Sequence, residues 1–195
     1  MIEHEIWEHN PNQYVIGADE VGRGSIAGPI VAASVCISRK DNRYLESVKD
    51  SKKMTENMRN DIFKSINNTS IKINYSTMTN IEIDALGINY CNKKVLEDVL
   101  SPYFESNALL FVDYVKDINK NVQSITKGED KSLAIALASI MAKVYRDTLM
   151  IEMSLKFPEY ALDRNKGYGT KQHYQAIEKH GLKDFHRKTF LKKIN

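Results

Sequence analysis

A chain of 195 residues, 42% hydrophobic and 27% charged, suits one soluble globular domain with room for its own core. No apolar run approaches the roughly 20 residues that cross a bilayer, and the acidic opening Met1-Ile-Glu-His-Glu5 lacks the basic-then-apolar order of a secretory signal, so membrane and secreted classes are set aside. The net charge of +3 is lopsided: residues 164 to 195 carry nine Lys/Arg against Glu178 and Asp184, a net of +7, which leaves −4 on residues 1 to 163. That pattern fits a polyanion partner or a solvated helix face.

Residues 1 to 12, with Pro11, read as a short polar lead loosely attached to the body of the chain. Tyr14 to Glu20 reads as a strand whose apolar run, Val15-Ile-Gly-Ala18, ends on two adjacent carboxylates, Asp19 and Glu20. Gly22, Arg23, Gly24, Gly28 and Pro29 come directly after. Buried carboxylates need a metal, a cation or a proton, and glycines let backbone amides approach a ligand closely. The residues alone leave two readings here: a solvated acidic turn, or a metal held against a phosphodiester.

Ile30 to Ile37 is a second strand that makes a hairpin with the first. Beyond the polar turn at Arg39 to Arg43, Lys49-Asp-Ser-Lys52-Lys53 precedes a helix over about Thr55 to Asn67, with Ile62, Phe63 and Ile66 on its apolar face. Ile71 to Thr77 alternates as a half-exposed third strand. Thr79-Asn-Ile-Glu82 is a capping box, Gly87 a stop, and Asn89 to Leu100 a further helix ended by Pro102. Cys36 and Cys91 lack metal-ligand spacing and read as reduced core residues of a cytoplasmic protein.

Ala108-Leu-Leu-Phe-Val112 is continuously apolar, as expected of a strand covered on both faces, and stops at Asp113. Ligand sites in open α/β sheets gather at strand ends, so Asp113 either joins Asp19 and Glu20 or caps a turn. Asn121 to Thr126 is one more strand. A long helix over about Lys131 to Met153 comes next, with Leu133, Leu137, Ile140, Val144, Ile151 and Leu155 as its core face. Another face carries Ser132, Ala136, Ser139, Lys143 and Arg146, where the two cations either reach a phosphate or stand in solvent. Asn165 to Thr170 forms a loop with Lys166 and with Tyr168 between two glycines, and a helix runs from Thr170 to Gly181. His173, His180 and His186 read as packed or solvated side chains.

Five blocks in this order resemble the ribonuclease HII (type 2 ribonuclease H) family over residues 14 to about 190. They are Asp19-Glu-Val-Gly-Arg-Gly24, Asp50-Ser-Lys-Lys53, the strand-terminal Asp113, Lys127-Gly-Glu129 with Ala138-Ser-Ile-Met-Ala-Lys-Val-Tyr-Arg-Asp147, and Lys166-Gly-Tyr-Gly-Thr-Lys171; His186-Arg187 is similar to the closing segment. Two positions depart from the pattern. Tyr114 stands where a glycine usually follows the aspartate, which questions the turn after it, and Glu129 stands where a fourth aspartate is usual, with Asp130 as its competitor.

The resemblance implies an α/β fold, a ribonuclease H-like mixed sheet flanked by helices with a C-terminal helical extension. It makes residues 1 to 195 one catalytic domain: sheet and core helices over about 14 to 155, and a basic, substrate-binding part over about 156 to 195. It further implies an endonuclease for the RNA strand of RNA–DNA hybrids and for single ribonucleotides in duplex DNA, with Asp19, Glu20, Asp113 and Glu129 as catalytic metal ligands. Gly22, Arg23, Gly24, Lys52, Ser139, Lys143, Arg146, Lys166 and Tyr168 become nucleic-acid contacts, the Gly-Arg-Gly backbone and Tyr168 reading the 2′-hydroxyl. An all-oxygen ligand set suits Mn²⁺ or Mg²⁺, two per site during turnover, in a protein expected to be monomeric and free of membranes. Glutamate at the fourth position leans toward a type 3 ribonuclease H. Gly22-Arg-Gly24 and the absence of a long segment before residue 14 lean against it, and the intact acid set leans against a hybrid-binding module without catalysis.

Overall fold

The computed structural model describes residues 1–41, 48 and 54–192. Five strands form one sheet in the order β3-β2-β1-β4-β5. They are β1 (Val15–Val21), β2 (Ile30–Ile37), β3 (Lys72–Met78), β4 (Leu109–Asp113) and β5 (Val122–Ile125). The first three pair antiparallel, whereas β4 runs parallel to both β1 and β5, so the sheet is mixed. The central strand is β1, with β4 beside it.

Helices cover both faces, in chain order α1 (Ile2–His9), α2 (Glu56–Asn67), α3 (Asn80–Leu86), α4 (Ile88–Leu100), α5 (Gly128–Lys131), α6 (Leu133–Lys156), α7 (Leu162–Asn165) and α8 (Lys171–His180). The expected capping box is present: Thr79 accepts from the Glu82 amide while Glu82 accepts from the Thr79 amide, and α3 ends at Gly87.

Strand parity separates two cores. Val15 and Phe111 pack toward α6 with Leu133, Leu137 and Ile140. Ile16, Ala18, Leu110 and Val112 pack toward α4 with Cys91, Val95 and Val99. Gly17 is the point of closest approach, since a Cβ there would stand 2.2 Å from the Ala134 carbonyl carbon and the Ile135 nitrogen. Only a residue without a side chain lets the start of α6 lie on β1. A third cluster, around Ile26, Met150, Tyr160, Leu162 and Phe185, holds the C-terminal part to the glycine-rich loop after β1.

The structure corrects three expectations. Residues 2–9 are a docked helix rather than a loose lead: Trp7 is 3% exposed and Glu3 is fully buried. The Glu3 carboxylate accepts from Ser132 Oγ at 2.5 Å and from the Ala134 amide at 3.1 Å, adding to the N-cap of α6. The helix expected over 131–153 is one helix that starts two residues later, at Leu133, because Ser132 is extended (φ −123, ψ 127) and its hydroxyl caps Ile135, which leaves Lys131 to the short α5. Ile151 and Leu155, placed on the core face, are 38% and 80% exposed. Beyond the sheet α6 meets the third cluster instead, on the side that carries Met150 and Ser154.

Candidate active site

The register Ala18↔Val112 between parallel strands brings Asp19 and Asp113 to the same level at neighbouring strand ends. Parity points both toward α6. There Ser139 donates a hydrogen bond to Asp19. Glu20, one residue on, points to the opposite face, where Asn92 of α4 donates to it. Asp113 Oδ1 accepts from the amides of Tyr114 at 2.8 Å and Gly128 at 2.9 Å. The second of these bonds draws α5, and with it half-buried Glu129, to the end of β4; Asp130 is exposed on the same turn. Tyr114 does not disturb the turn after Asp113. The left-handed residue there is Asp117, at φ 56, so the position after the aspartate needs no glycine.

The electrostatics test whether this site suits a cation. Burial, then Glu20 and more weakly Asp113, push the Asp19 carboxyl up to about 8 against the Ser139 hydrogen bond. Burial also raises Glu20, opposed by the nearby Arg23 and by Asn92. A carboxyl such as Asp19 that must otherwise hold a proton near neutral pH is short of positive charge, and an oxygen-only set is the chemistry of a hard divalent ion. The set is open: among the described residues no three Asp, Glu, His or Cys side chains stand close enough to enclose a metal, as expected when Asp19 and Glu20 point to opposite faces.

Beyond β1 the chain turns at Gly22. Its φ of +91 and the side chain of Arg146, whose Nε would lie 2.2 Å from a Cβ at this position, both exclude any other residue. Arg23 and Gly24 are exposed at the tip, and Arg23 Nη2 donates to Asn89 at 3.1 Å. The reading of Arg146 as a phosphate contact is corrected. Its guanidinium is fully buried and donates to three carbonyls, Pro29 at 2.9 Å, Lys166 at 2.8 Å and Ala27 at 3.1 Å. It therefore ties the glycine-rich loop to the Lys166–Tyr168 loop. Tyr168 is half-buried, its ring centroid 5.6 Å from Arg146 and 5.9 Å from Lys143. Lys143 pairs with Asp147 at 2.8 Å. Lys166 Nζ donates to the Asp163 carbonyl and lies 3.9 Å from Glu56. Lys52 falls outside the described residues.

The ribonuclease HII family model matches residues 16–193. The chain belongs to the ribonuclease HII family. It is 44% identical over 186 residues to the ribonuclease HII of Clostridium novyi, covering 93% of this chain and 69% of that protein. It is 41% identical over 180 residues to that of Acetivibrio thermocellus, covering 91% and 70%. Among solved structures it is similar to the ribonuclease H2 of Pyrococcus horikoshii, with a TM-score of 0.73, 23% identity, and coverage of 93% and 97% of the two chains. A ribonuclease HII is a divalent-metal-dependent endoribonuclease that cleaves RNA in RNA–DNA hybrids, and this chain is a type 2 ribonuclease H by that membership.

Two residues of this ribonuclease HII site escaped the reading of the sequence. Arg187 is fully buried and donates from Nε to the Gly28 carbonyl at 3.0 Å and from Nη1 to the Arg23 carbonyl at 3.1 Å. Burial, and then the nearby Arg146, lower its pKa to about 10. A lone arginine in a basic tail carries no signal of burial. Asn92 is 3% exposed on α4 beside Cys91 and Val95, and an amide on an otherwise apolar helix face was the available clue.

Proposed function

We propose that this ribonuclease HII cleaves 5′ to single ribonucleotides embedded in duplex DNA as well as within continuous hybrids, leaving 5′-phosphate and 3′-hydroxyl ends. Asp19, Glu20, Asp113 and Glu129 would hold the divalent ions, Mn²⁺ or Mg²⁺. Two such ions, when bound, supply an activated water, neutralise the phosphate and stabilise the departing 3′-oxygen. Ser139 fixes the Asp19 carboxylate, and the Gly128 amide fixes that of Asp113. The Gly22–Gly24 backbone, exposed at Arg23 and Gly24, and Tyr168 read the 2′-hydroxyl at the RNA-to-DNA step, which is the difference between the two nucleic acids that a protein reaches. No side chain serves as nucleophile.

The observation that carries this reading is the placement of Asp19 and Asp113 at one level on adjacent parallel strands, with burial and Glu20 raising the Asp19 carboxyl to about 8. The experiment is incubation with a DNA duplex carrying one ribonucleotide, with and without Mn²⁺. Metal-dependent cleavage 5′ to the ribonucleotide is expected, and Tyr168→Ala is expected to lose that cleavage while retaining metal binding. Glutamate at position 129 favours a second reading, a type 3 specificity. Under it, runs of ribonucleotides would be cut and the single one left intact.

A further inference from the structure

On the α4 side of Glu20 lies a groove of about 560 Å³ to which the proposed reaction assigns no occupant. Its lining includes Arg23, Lys93 and Lys116 as cations and Tyr90 and Tyr114 as aromatics. Tyr90 is 54% exposed and Tyr114 57%, among the most exposed large apolar side chains described. Asp117 is the single carboxylate in the lining, so the lining residues carry a net of +2. Lys93 also faces Glu97 at 3.8 Å, an exposed pair too weak to hold it back.

Asn92 joins this groove to the carboxylates. It lines the groove, is 3% exposed, and donates to Glu20. Its Oδ1, in contrast, has no hydrogen-bond partner among the described residues. A buried acceptor left open costs about 1–3 kcal/mol unless something donates to it, and here the open acceptor borders the groove. Cations with interleaved tyrosines suit a polynucleotide, whose phosphates pair with lysine and arginine while its bases or sugars stack on the rings.

We propose that this groove binds the nucleotides next to the scissile bond on the cleaved strand, with phosphates on Arg23, Lys93 and Lys116 and a base or sugar against Tyr114 and Tyr90. The strand is fixed by position. A groove that shares Asn92 with Glu20 begins at the reacting end, and successive phosphates of one strand advance by only about 3.4 Å along the duplex axis. The opposite strand lies across a groove at least about 6 Å wide. The proposal rests on the assignment of the carboxylates as the cleavage site.

The test uses the whole chain and a DNA duplex with one ribonucleotide. Tyr114→Ala and Tyr90→Ala are each expected to raise KM about ten-fold with kcat within two-fold, as loss of one stacking contact does. Lys93→Ala with Lys116→Ala is expected to reduce the slope of log Kd against log salt by about 1 to 2. With Asp19→Asn to slow turnover, 5-iodouracil placed beside the ribonucleotide should photocross-link to Tyr114 or Tyr90 from the ribonucleotide-bearing strand. Wild-type KM in both tyrosine variants, or cross-links only from the complementary strand, would overturn the groove. Failure of the wild-type protein to cut, with cross-links intact, would instead overturn the assigned reaction and leave the groove standing.

Discussion

His186 Nε2 stands 3.2 Å from His173 Nε2, and both rings are fully buried. The Lys183 amide donates to His186 Nδ1 at 2.9 Å, so the proton of His186 sits on Nε2 and is given to His173. His173 in turn carries its proton on Nδ1, 3.0 Å from the Tyr168 carbonyl. Two neutral histidines thus form a one-way relay that ends on the residue proposed to read the 2′-hydroxyl. His173→Asn keeps a donor near the δ position, whereas His173→Gln does not. The glutamine variant should lose preference for a single ribonucleotide over continuous hybrid by about ten-fold, the effect of one hydrogen bond. The asparagine variant should stay within about three-fold. Rates on the two substrates, measured side by side, check this, and equal losses in both variants would reduce His173 to packing.

The same relay gives a pH dependence of stability. Burial lowers both histidines, and burial with His173 holds His186 at about 4. The unfolded rings titrate near 6.5, so between those values the unfolded chain binds more protons than the folded one. The contribution of His186 is therefore full above about pH 6.5 and lost toward pH 4, up to about 3 kcal/mol, while Asp19, raised to about 8, contributes in the opposite sense. Urea unfolding of the wild type and of His186→Asn at both pH 7.5 and pH 4.5 isolates it: the wild type should lose more stability, or gain less, than the variant on going to pH 4.5.

Arg146 should behave as a scaffold residue rather than as a phosphate ligand. Its three carbonyl partners lie on two loops, and a lysine ammonium cannot span them as a guanidinium fork does. Arg146→Lys is expected to cost about 2–4 kcal/mol, from charged hydrogen bonds lost and carbonyls left buried. The salt dependence of duplex binding should not change. A reduced salt slope at unchanged stability would restore the phosphate role.

The strand ends were legible in the sequence because an apolar run stopping on a carboxylate has few physical outcomes. Asp19 and Asp113 each end such a run, and parallel pairing then brings them level. The helix after Thr79 was legible from its cap, and the helix over 55–67 from its apolar face at Ile62, Phe63 and Ile66. What the sequence hid were contacts made at long range. Nothing local distinguishes buried Arg146 and Arg187 from solvated arginines, since their partners are backbone carbonyls from residues 23 to 29 and 166. The α1 helix was missed for the same reason. Its polar composition conceals Glu3, buried only because Ser132 and the start of α6 receive it.

The fourth acid can be settled by paired substitutions. Glu129 is half-buried and directly follows the Gly128 amide bonded to Asp113, while Asp130 is exposed one residue on. Glu129→Gln is therefore expected to lower kcat by two orders of magnitude or more, on the scale of losing a group that acts at the reacting centre. Asp130→Asn should leave kcat within about three-fold, since exposed substitutions change little. Isothermal titration with Mn²⁺ adds a readout besides activity: weakened binding is expected in Glu129→Gln and not in Asp130→Asn. The reverse pattern would move the ligand to Asp130.

Gly17 should tolerate no side chain. A Cβ there meets main-chain atoms of Ala134 and Ile135 at 2.2 Å, and backbone cannot rotate aside as a flexible side chain can. Relief would require α6 to lift from β1, opening the core beneath Leu133 and Leu137 and moving Ser139 away from Asp19. Overpacking of this kind costs about 1–3 kcal/mol even where side chains can yield, and more is expected against a fixed helix. Gly17→Ala should accumulate as insoluble or molten protein. If it folds, denaturant melts should show a loss above about 3 kcal/mol, and cleavage should fall with it. A soluble variant of unchanged stability would mean that the start of α6 does not lie on β1 as closely as the structure has it.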